Sequence, residues 1–314
     1  FNVGNREMNL TAASFFTGAG GFDLGLEQAG IEIVFQCEID KYACQLLNNK
    51  YPNTYKANDI SNLHPTAIPP ADIYFGGFPC QDASVAGARK GLSGDKTGLF
   101  FQFVRLIKAN QPQWICLENV PGILSSGGRN DFKLIIETLA QCGYHCSWRT
   151  LDSQYFGVPQ RRRRVFLVGC LGNWRGGAEV LFESSIESKN VSQSGKNRTD
   201  VSNEIGDRPI AVETQYLASD ARKLHYWEQT GTLCASESGY GLLIREELRF
   251  TTPVECERLM GFPDNWTAGF SDRQRYKMTG NAVAVPVAKF LGERIVNIHR
   301  NLIGKHFHTE ILAA

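Results

Sequence analysis

The chain has 314 residues, 42% apolar and 21% charged, which are the values of a globular protein long enough for one large domain and a smaller one. Thirty-three basic residues nearly cancel 32 acidic ones, leaving +1, so any attraction to nucleic acid must come from local clusters and not from a general field. No apolar run is long enough to cross a bilayer, and nine cysteines without paired metal-ligand spacing point to reduced thiols in a cytosolic compartment, with no metal expected. Met8 looks like the natural start, with residues 1–7 upstream or added sequence.

Asn9 to Phe16 has the composition of a short strand, which Thr17-Gly18-Ala19-Gly20-Gly21 breaks before the amphipathic stretch Phe22 to Ala29. Strand, glycine turn and helix open a nucleotide-binding α/β sheet, because glycines let a cofactor lie against the backbone. The next strand, Ile31 to Cys37, ends in Glu38, a carboxylate placed to hold ribose hydroxyls. A helix over Lys41 to Lys50 then brings Asn58-Asp59-Ile60 to the sheet edge.

The apolar strand Ala71 to Phe75 runs into Gly76-Gly77-Phe78-Pro79-Cys80-Gln81, which puts a thiol at the mouth of a sheet on a loop that a ligand can approach. A working Cys80 would need its thiolate favoured over the free pKa of about 8.5. Thirty-eight residues later a second core strand, Trp114 to Cys116 and onward, ends in Glu118-Asn119-Val120. A thiol and a carboxylic acid at two strand ends could act on one substrate as nucleophile and proton donor. Between them, residues 82–97 are rich in glycine and small residues, contain Arg89-Lys90 and show no period, as expected of a lid. A helix from Leu99 to Ile107, another from Phe132 to Cys142 and a strand from Tyr144 to Leu151 complete a repeated β-α-β order. That order implies a mostly parallel sheet with its site at the carboxyl ends of the strands.

Gln160 and the run Arg161 to Arg164 lead into the strand Val165 to Gly169, so alternate arginines must point to opposite faces. From Gly172 to Leu248 apolar runs shorten, helical periodicity disappears, and 8 basic face 12 acidic side chains. This segment is expected to be a smaller, loop-rich domain; if it grips DNA, it does so with placed side chains and not with a general positive field. Thr252, Pro253 and Glu255 form a capping box that opens a helix, and Gly280-Asn281-Ala282-Val283 leads into a last helix toward His299.

Taken together, Phe16 to Gly21, Glu38, Asp59-Ile60, Gly77 to Gln81, Glu118 to Val120, Gln160 to Arg164, Arg249 to Pro263 and Gly280 to Val283 resemble the DNA (cytosine-5) methyltransferases of restriction-modification systems over roughly residues 9 to 300. The resemblance implies a Rossmann-like domain of the S-adenosylmethionine-dependent methyltransferases, spanning 8–171 and 249–314, with a target recognition domain over 172–248. It implies that S-adenosylmethionine is held by Phe16, Gly18, Ala19, Gly20, Gly21, Glu38, Asp59, Ile60, Asn281 and Val283, with Pro79 and Leu99 beside them. Ile39 stands where many relatives place an aromatic over the adenine, which implies weaker stacking. Cys80 would be the nucleophile, Glu118 would face cytosine N3, and Arg162 and Arg164 would lie near the base, Arg164 toward its O2. Arg163 replaces a common Glu, and Ala86 a frequent serine. Gln81, Ser84, Arg89, Thr232 and Leu233 would touch DNA.

The chemistry that this resemblance implies is addition of Cys80 to C6 of a flipped-out cytosine while protonated Glu118 donates to N3, burial at the strand end raising its pKa. The expected partner is double-stranded DNA, met by a monomer in a bacterial or phage-infected cytoplasm, with a cognate endonuclease acting separately. A transfer-RNA methyltransferase is the alternative enzyme; its relatives carry Cys-Phe-Thr in the target domain, where this chain has Leu233-Cys234-Ala235. An inactive DNA-binding homologue is the alternative from another class, and neither the nucleophile nor the glycines are lost as it would require.

Overall fold

The computed structural model describes residues 9–79, 98–182, 210–212, 226–227, 241–244 and 247–313, with side chains in 9–79, 98–182 and 249–302. The chain divides into two compact units, one of Phe1–Leu151, Arg163–Leu181 and Ala282–Ala314, the other of Asp152–Arg162 and Phe182–Asn281.

In the first unit β1 (Thr11–Phe15), β2 (Glu32–Cys37), β3 (Tyr55–Ala57), β4 (Ile73–Gly76), β5 (Trp114–Asn119), β6 (Tyr144–Asp152) and β7 (Arg163–Leu171) form a sheet ordered β3-β2-β1-β4-β5-β7-β6. β1 is parallel to β2 and β4, β2 to β3, and β4 to β5, while β7 is antiparallel to β5. The mostly parallel sheet expected from the sequence is therefore present. Helices α1 (Gly21–Gln28), α2 (Lys41–Lys50), α3 (Gly98–Asn110), α4 (Asn130–Gln141) and α5 (Gly176–Leu181) connect or cover it. Central strands read as continuous apolar runs because helices cover both faces; all four residues of β4 are buried. Phe15, Phe35, Phe75, Phe100, Phe103 and Trp114 are at most 1% exposed, each burial worth about 1.5–3 kcal/mol.

β2 and β3 lie to one side of β1, and β4 and β5 to the other, so the connections diverge beside the carboxyl ends of β1 and β4. Phe15 pairs with Gly76 there, and a Cβ on Gly76 would come within 2.2 Å of the Phe15 carbonyl oxygen. The strand ends can meet only because that residue is glycine.

Within the segment from Gly172 that shows no helical periodicity, α5 forms and packs within the first unit. Two of its six residues are glycines chosen for close approach: a Cβ on Gly177 would lie 2.4 Å from the Val168 carbonyl oxygen. So short and glycine-rich a helix leaves no periodic signal.

The second unit contains β8 (Ile210–Val212), β9 (Tyr226–Trp227), β10 (Gly241–Ile244) and β11 (Glu247–Phe250), an antiparallel sheet ordered β11-β10-β8-β9, then α6 (Pro253–Met260) and α7 (Asp272–Asn281). Gln160 joins this unit by donating from Nε2 to the Leu259 carbonyl at 2.7 Å, and Ser153 donates to the Gln160 carbonyl at 2.7 Å. Thr252 and Glu255 form the capping box read from the sequence, with Pro253 in the first turn. Arg249 pairs with Glu255 at 2.6 Å and, with the Thr252 contacts, holds that carboxyl down to about 2.

α8 (Val285–Ala313) returns the chain to the first unit and packs on α1. Among the described residues no helix is long and apolar enough to cross a membrane. A Cβ on Gly25 would lie 2.5 Å from the Ala288 Cβ and 2.6 Å from the Val285 carbonyl oxygen. Gly25→Ala is therefore expected to force α1 and α8 apart and cost about 1–3 kcal/mol, read as a lowered denaturation midpoint. Thr252→Ala removes one cap and is expected to cost about 1 kcal/mol in the same measurement.

Candidate active site

Two clusters occupy the carboxyl ends of the first unit's strands. The first begins where β1 ends. Phe16, Gly18 and Gly20 take left-handed backbone, with φ of 55°, 57° and 76°. Glycine does so freely, whereas Phe16 pays a strain of order 1 kcal/mol. One carboxylate ties this turn to the end of β2: Glu38 Oε2 accepts from Gly18 N at 2.7 Å, and Oε1 from Ile39 N at 2.9 Å and Asp40 N at 2.8 Å. A carboxylate has about four acceptor positions. Glu38 thus keeps capacity for a further donor, such as a ribose hydroxyl.

Around this turn the sequence-predicted residues are placed unequally. Ala19, Gly20 and Gly21 are buried, and a Cβ on Gly18 would meet nothing within 4 Å, so the turn faces open space there. Ile39 is 74% exposed, an aliphatic side chain available to cover a flat ring. Asp59 accepts from Ser61 N and Asn62 Nδ2, each at 2.9 Å, and so caps its own turn. Ile60 is buried in the core, so its contribution to any ligand is through the main chain. Arg105, which the sequence reading did not single out, fixes that turn by donating to the carbonyls of Ile60 at 3.1 Å and Leu63 at 2.8 Å. Leu99 is half-buried against the core, and Val283 is half-buried in the first unit; Asn281 is exposed at the end of α7 in the second.

The second cluster joins β4 to β5. A Cβ on Gly77 would stand 2.8 Å from Glu118 Oε2, so this glycine lets the chain pass directly against the carboxyl group. Asn119 Nδ2 donates to the Phe78 carbonyl at 3.2 Å while its Oδ1 accepts from Val120 N at 2.8 Å. Phe78 packs on Phe100, ring centroids 5.3 Å apart. The backbone up to Pro79 is thereby fastened beside Glu118. Cys80, Gln81, Ser84, Arg89, Thr232 and Leu233 lie outside the described residues.

Glu118 is not simply a desolvated acid. Arg164 Nε lies 2.9 Å from its Oε1, with both side chains largely buried, and Arg164 also donates to the Arg163 carbonyl at 2.9 Å. The arginine run alternates as β-structure requires: Arg161 and Arg163 are exposed, Arg162 is buried and Arg164 half-buried. Arg162 belongs to the second unit, where its guanidinium donates to the Gly280 carbonyl at 3.0 Å. Asn119 was visible in the sequence only as part of Glu-Asn-Val; its partner is 41 residues away, and nothing local announces it.

The described cysteines are free, and burial is the main cause that pushes every one of their thiols up, Cys37 and Cys146 to about 12 and Cys256 to about 11. None of these seven suits a thiolate nucleophile. Among the described residues no group of three or more His, Cys, Asp or Glu is placed to hold a metal ion.

The sequence profile of the C-5 cytosine-specific DNA methylases matches residues 10–251 and 183–297. The chain belongs to this family. It is accordingly an enzyme, a DNA (cytosine-5) methyltransferase. Similar curated proteins include the Type II methyltransferase M.BsuFI of Bacillus subtilis, 32% identical over 92% of this chain and 73% of that protein. Another is the Type II methyltransferase M.Bsp6I of Bacillus sp. strain RFL6, 31% identical over 94% of this chain and 100% of that protein. Among solved structures the fold is similar to the S. pombe Dnmt2 methyltransferase, with a TM-score of 0.67 at 18% identity, covering 94% of this chain and 99% of that one. The Entamoeba histolytica methyltransferase EhMeth gives a TM-score of 0.65 at 17% identity, covering 93% and 99%.

Gly77→Ala pushes on the Glu118 carboxyl without touching the Glu38 turn. It is expected to lower the methylation kcat by up to about 10²-fold, as an ångström-scale misplacement does, with methyl-donor affinity unchanged. Single-turnover rates and calorimetric titration of the donor check the two parts.

Proposed function

We propose that this methyltransferase moves a methyl group from S-adenosylmethionine to C5 of a cytosine flipped out of double-stranded DNA, with Cys80 as nucleophile and Glu118 as general acid. The observation that carries the reading is the fastening of the Gly77–Pro79 backbone against the Glu118 carboxyl, by the missing side chain of Gly77 and the Asn119 bond to Phe78. Cys80 is the next residue. Of the nine cysteines only Cys80 and Cys234 stand outside the seven whose burial argues against thiolate chemistry.

When bound, S-adenosylmethionine supplies an electrophilic methyl on a sulfonium. The β1 turn fits it in two respects: Glu38 retains acceptor capacity for the ribose, and exposed Ile39 offers an apolar cover for the adenine. Asp59, the main chain of Ile60, Phe16, Leu99, Asn281 and Val283 are proposed to complete that site. C5 of cytosine is a weak nucleophile, and the protein's part is to enrich it. Cys80 thiolate forms a bond to C6 while Glu118 delivers a proton to N3, and the electron pair becomes an enamine ending at C5. C5 takes the methyl; a base then removes the C5 proton, the C5–C6 double bond re-forms as the thiolate leaves, and the N3 proton returns to Glu118. Arg164, paired with Glu118, is proposed to donate to the base O2. Arg162, engaged with Gly280, takes a supporting part.

Flipping costs a few kcal/mol and brings atoms otherwise hidden in the stack within reach. Gln81, Ser84 and Arg89 are proposed to contact the DNA, and the 172–248 segment, with Thr232 and Leu233, to select its sequence. Action as a monomer in the cytoplasm, beside a separate endonuclease, is part of the same proposal.

The test is incubation with S-adenosylmethionine and unmethylated genomic DNA, followed by single-base sequencing for 5-methylcytosine. Methylation at one short motif is expected. Cys80→Ala is expected to abolish it with cofactor binding intact, and Glu118→Gln to slow it by about 10² to 10⁴. Residual turnover by Cys80→Ala, or methylated transfer RNA in place of DNA, overturns the reading.

A further inference from the structure

Beneath the glycine turn lies a buried acid that the reaction does not use. Asp23, in the first turn of α1, is fully buried, and among the described residues no cation pairs with it. Its Oδ1 accepts from Gln36 Nε2 on β2 at 2.8 Å, and its Oδ2 lies 3.0 Å from Ser14 Oγ on β1. Ser14 Oγ is 3.0 Å from Thr17 Oγ1, which in turn is 3.3 Å from the Cys37 carbonyl oxygen, one residue before Glu38. The cluster thus runs unbroken from the buried acid to the turn that Glu38 holds.

The protons of this cluster can be counted. With Asp23 ionised, Ser14 must donate to it, and the single Thr17 hydroxyl proton is then contested by Ser14 Oγ and the Cys37 carbonyl, which also accepts from Thr17 N at 3.3 Å. With a proton on Asp23 Oδ2, the acid donates to Ser14, Ser14 to Thr17, and Thr17 to Cys37, so every hydroxyl has one donor role and one acceptor role. The buried Gln36 Oε1 has no hydrogen-bond partner, which marks a cluster already short of donors. We infer that Asp23 in its protonated form is a positioning residue of the methyl-donor turn, its hydrogen directing a relay through Ser14 that adds the Thr17 hydroxyl to the main-chain bond between Thr17 and the end of β2. Burial, opposed in part by the Gln36 and Ser14 contacts, pushes its carboxyl up to about 7, so the relay loses its direction near neutral pH.

The titratable neighbours do not supply the missing proton. Glu27 on the same helix is itself pushed up by burial, and Lys56 is engaged with the carbonyls of Tyr51 and Thr54. The buried Tyr51 phenol, which feels the charges of Asp23 and Glu27, is pushed up too and keeps its proton. On α8, Lys289 and Glu293 face each other at 3.9 Å, and the Tyr74 hydroxyl of β4 accepts from Asn110.

The inference rests on reading this turn as the methyl-donor site. Calorimetric titration of the whole enzyme with S-adenosylmethionine between about pH 6 and pH 9 tests it, one linked proton changing affinity by at most about tenfold per pH unit. Affinity should fall severalfold across neutral pH in the wild type. Asp23→Asn, whose amide donates to Ser14 permanently, should bind as tightly as the wild type at low pH and lose that fall. The ligand's own amino group titrates alike in both proteins. Ser14→Ala, which cuts the relay but keeps the acid, should bind weakly at every pH. Parallel pH profiles for wild type and Asp23→Asn overturn the inference while leaving the donor site standing. A wild type that binds no S-adenosylmethionine at any pH overturns the donor site and this inference with it.

Discussion

The carboxyl ends of β1, β4 and β5 come together only because residues 76 and 77 have no side chains. Gly76 sits against the Phe15 carbonyl and Gly77 against the Glu118 carboxyl, at separations that a Cβ would reduce to 2.2 Å and 2.8 Å. One glycine brings the donor turn level with the end of β4; the next brings the backbone before Cys80 level with the acid of β5. Both halves of the chemistry meet at one sheet edge through that pair, and the fold around it is the frame that holds three strand ends in register.

Three carboxyl groups at this edge have different environments and so different uses. Glu38 accepts from three main-chain N–H groups and acts as a fastener with some capacity left over. Glu118 has a guanidinium at 2.9 Å and faces the chain leading to Cys80. Asp23 is wholly buried with no charge partner among the described residues, and burial pushes its carboxyl up to about 7. The same functional group becomes an anchor, a reacting acid and a positioning element according to what surrounds it.

Much of the frame was legible in the sequence because its signals are local. The bounds of α2, the capping box at Thr252 and the alternation of Arg161 to Arg164 follow from period and cap chemistry over a few residues. Family motifs also marked which strand ends mattered. What escaped were partners distant in the chain: Asn119 with Phe78, Arg105 with Ile60, Glu118 with Arg164, Gln36 with Asp23. A hydrogen bond across tens of residues leaves no periodicity behind, and α5 shows that a helix of six residues with two glycines leaves little more. Glu118 illustrates that gap, since its guanidinium partner comes from another strand.

The central claim is that Cys80 forms a bond to C6 of the target base. Its most direct test is a duplex carrying the enzyme's own target sequence with 5-fluorocytosine at the methylated position. Fluorine at C5 leaves no proton to remove, so the thiol cannot be expelled after methyl transfer. The account predicts a stable protein–DNA adduct, formed only with S-adenosylmethionine present, whose proteolytic fragment maps by mass spectrometry to Cys80. An adduct on another cysteine, or full methylation of ordinary cytosine by an enzyme that never forms an adduct with the fluorinated base, would contradict it.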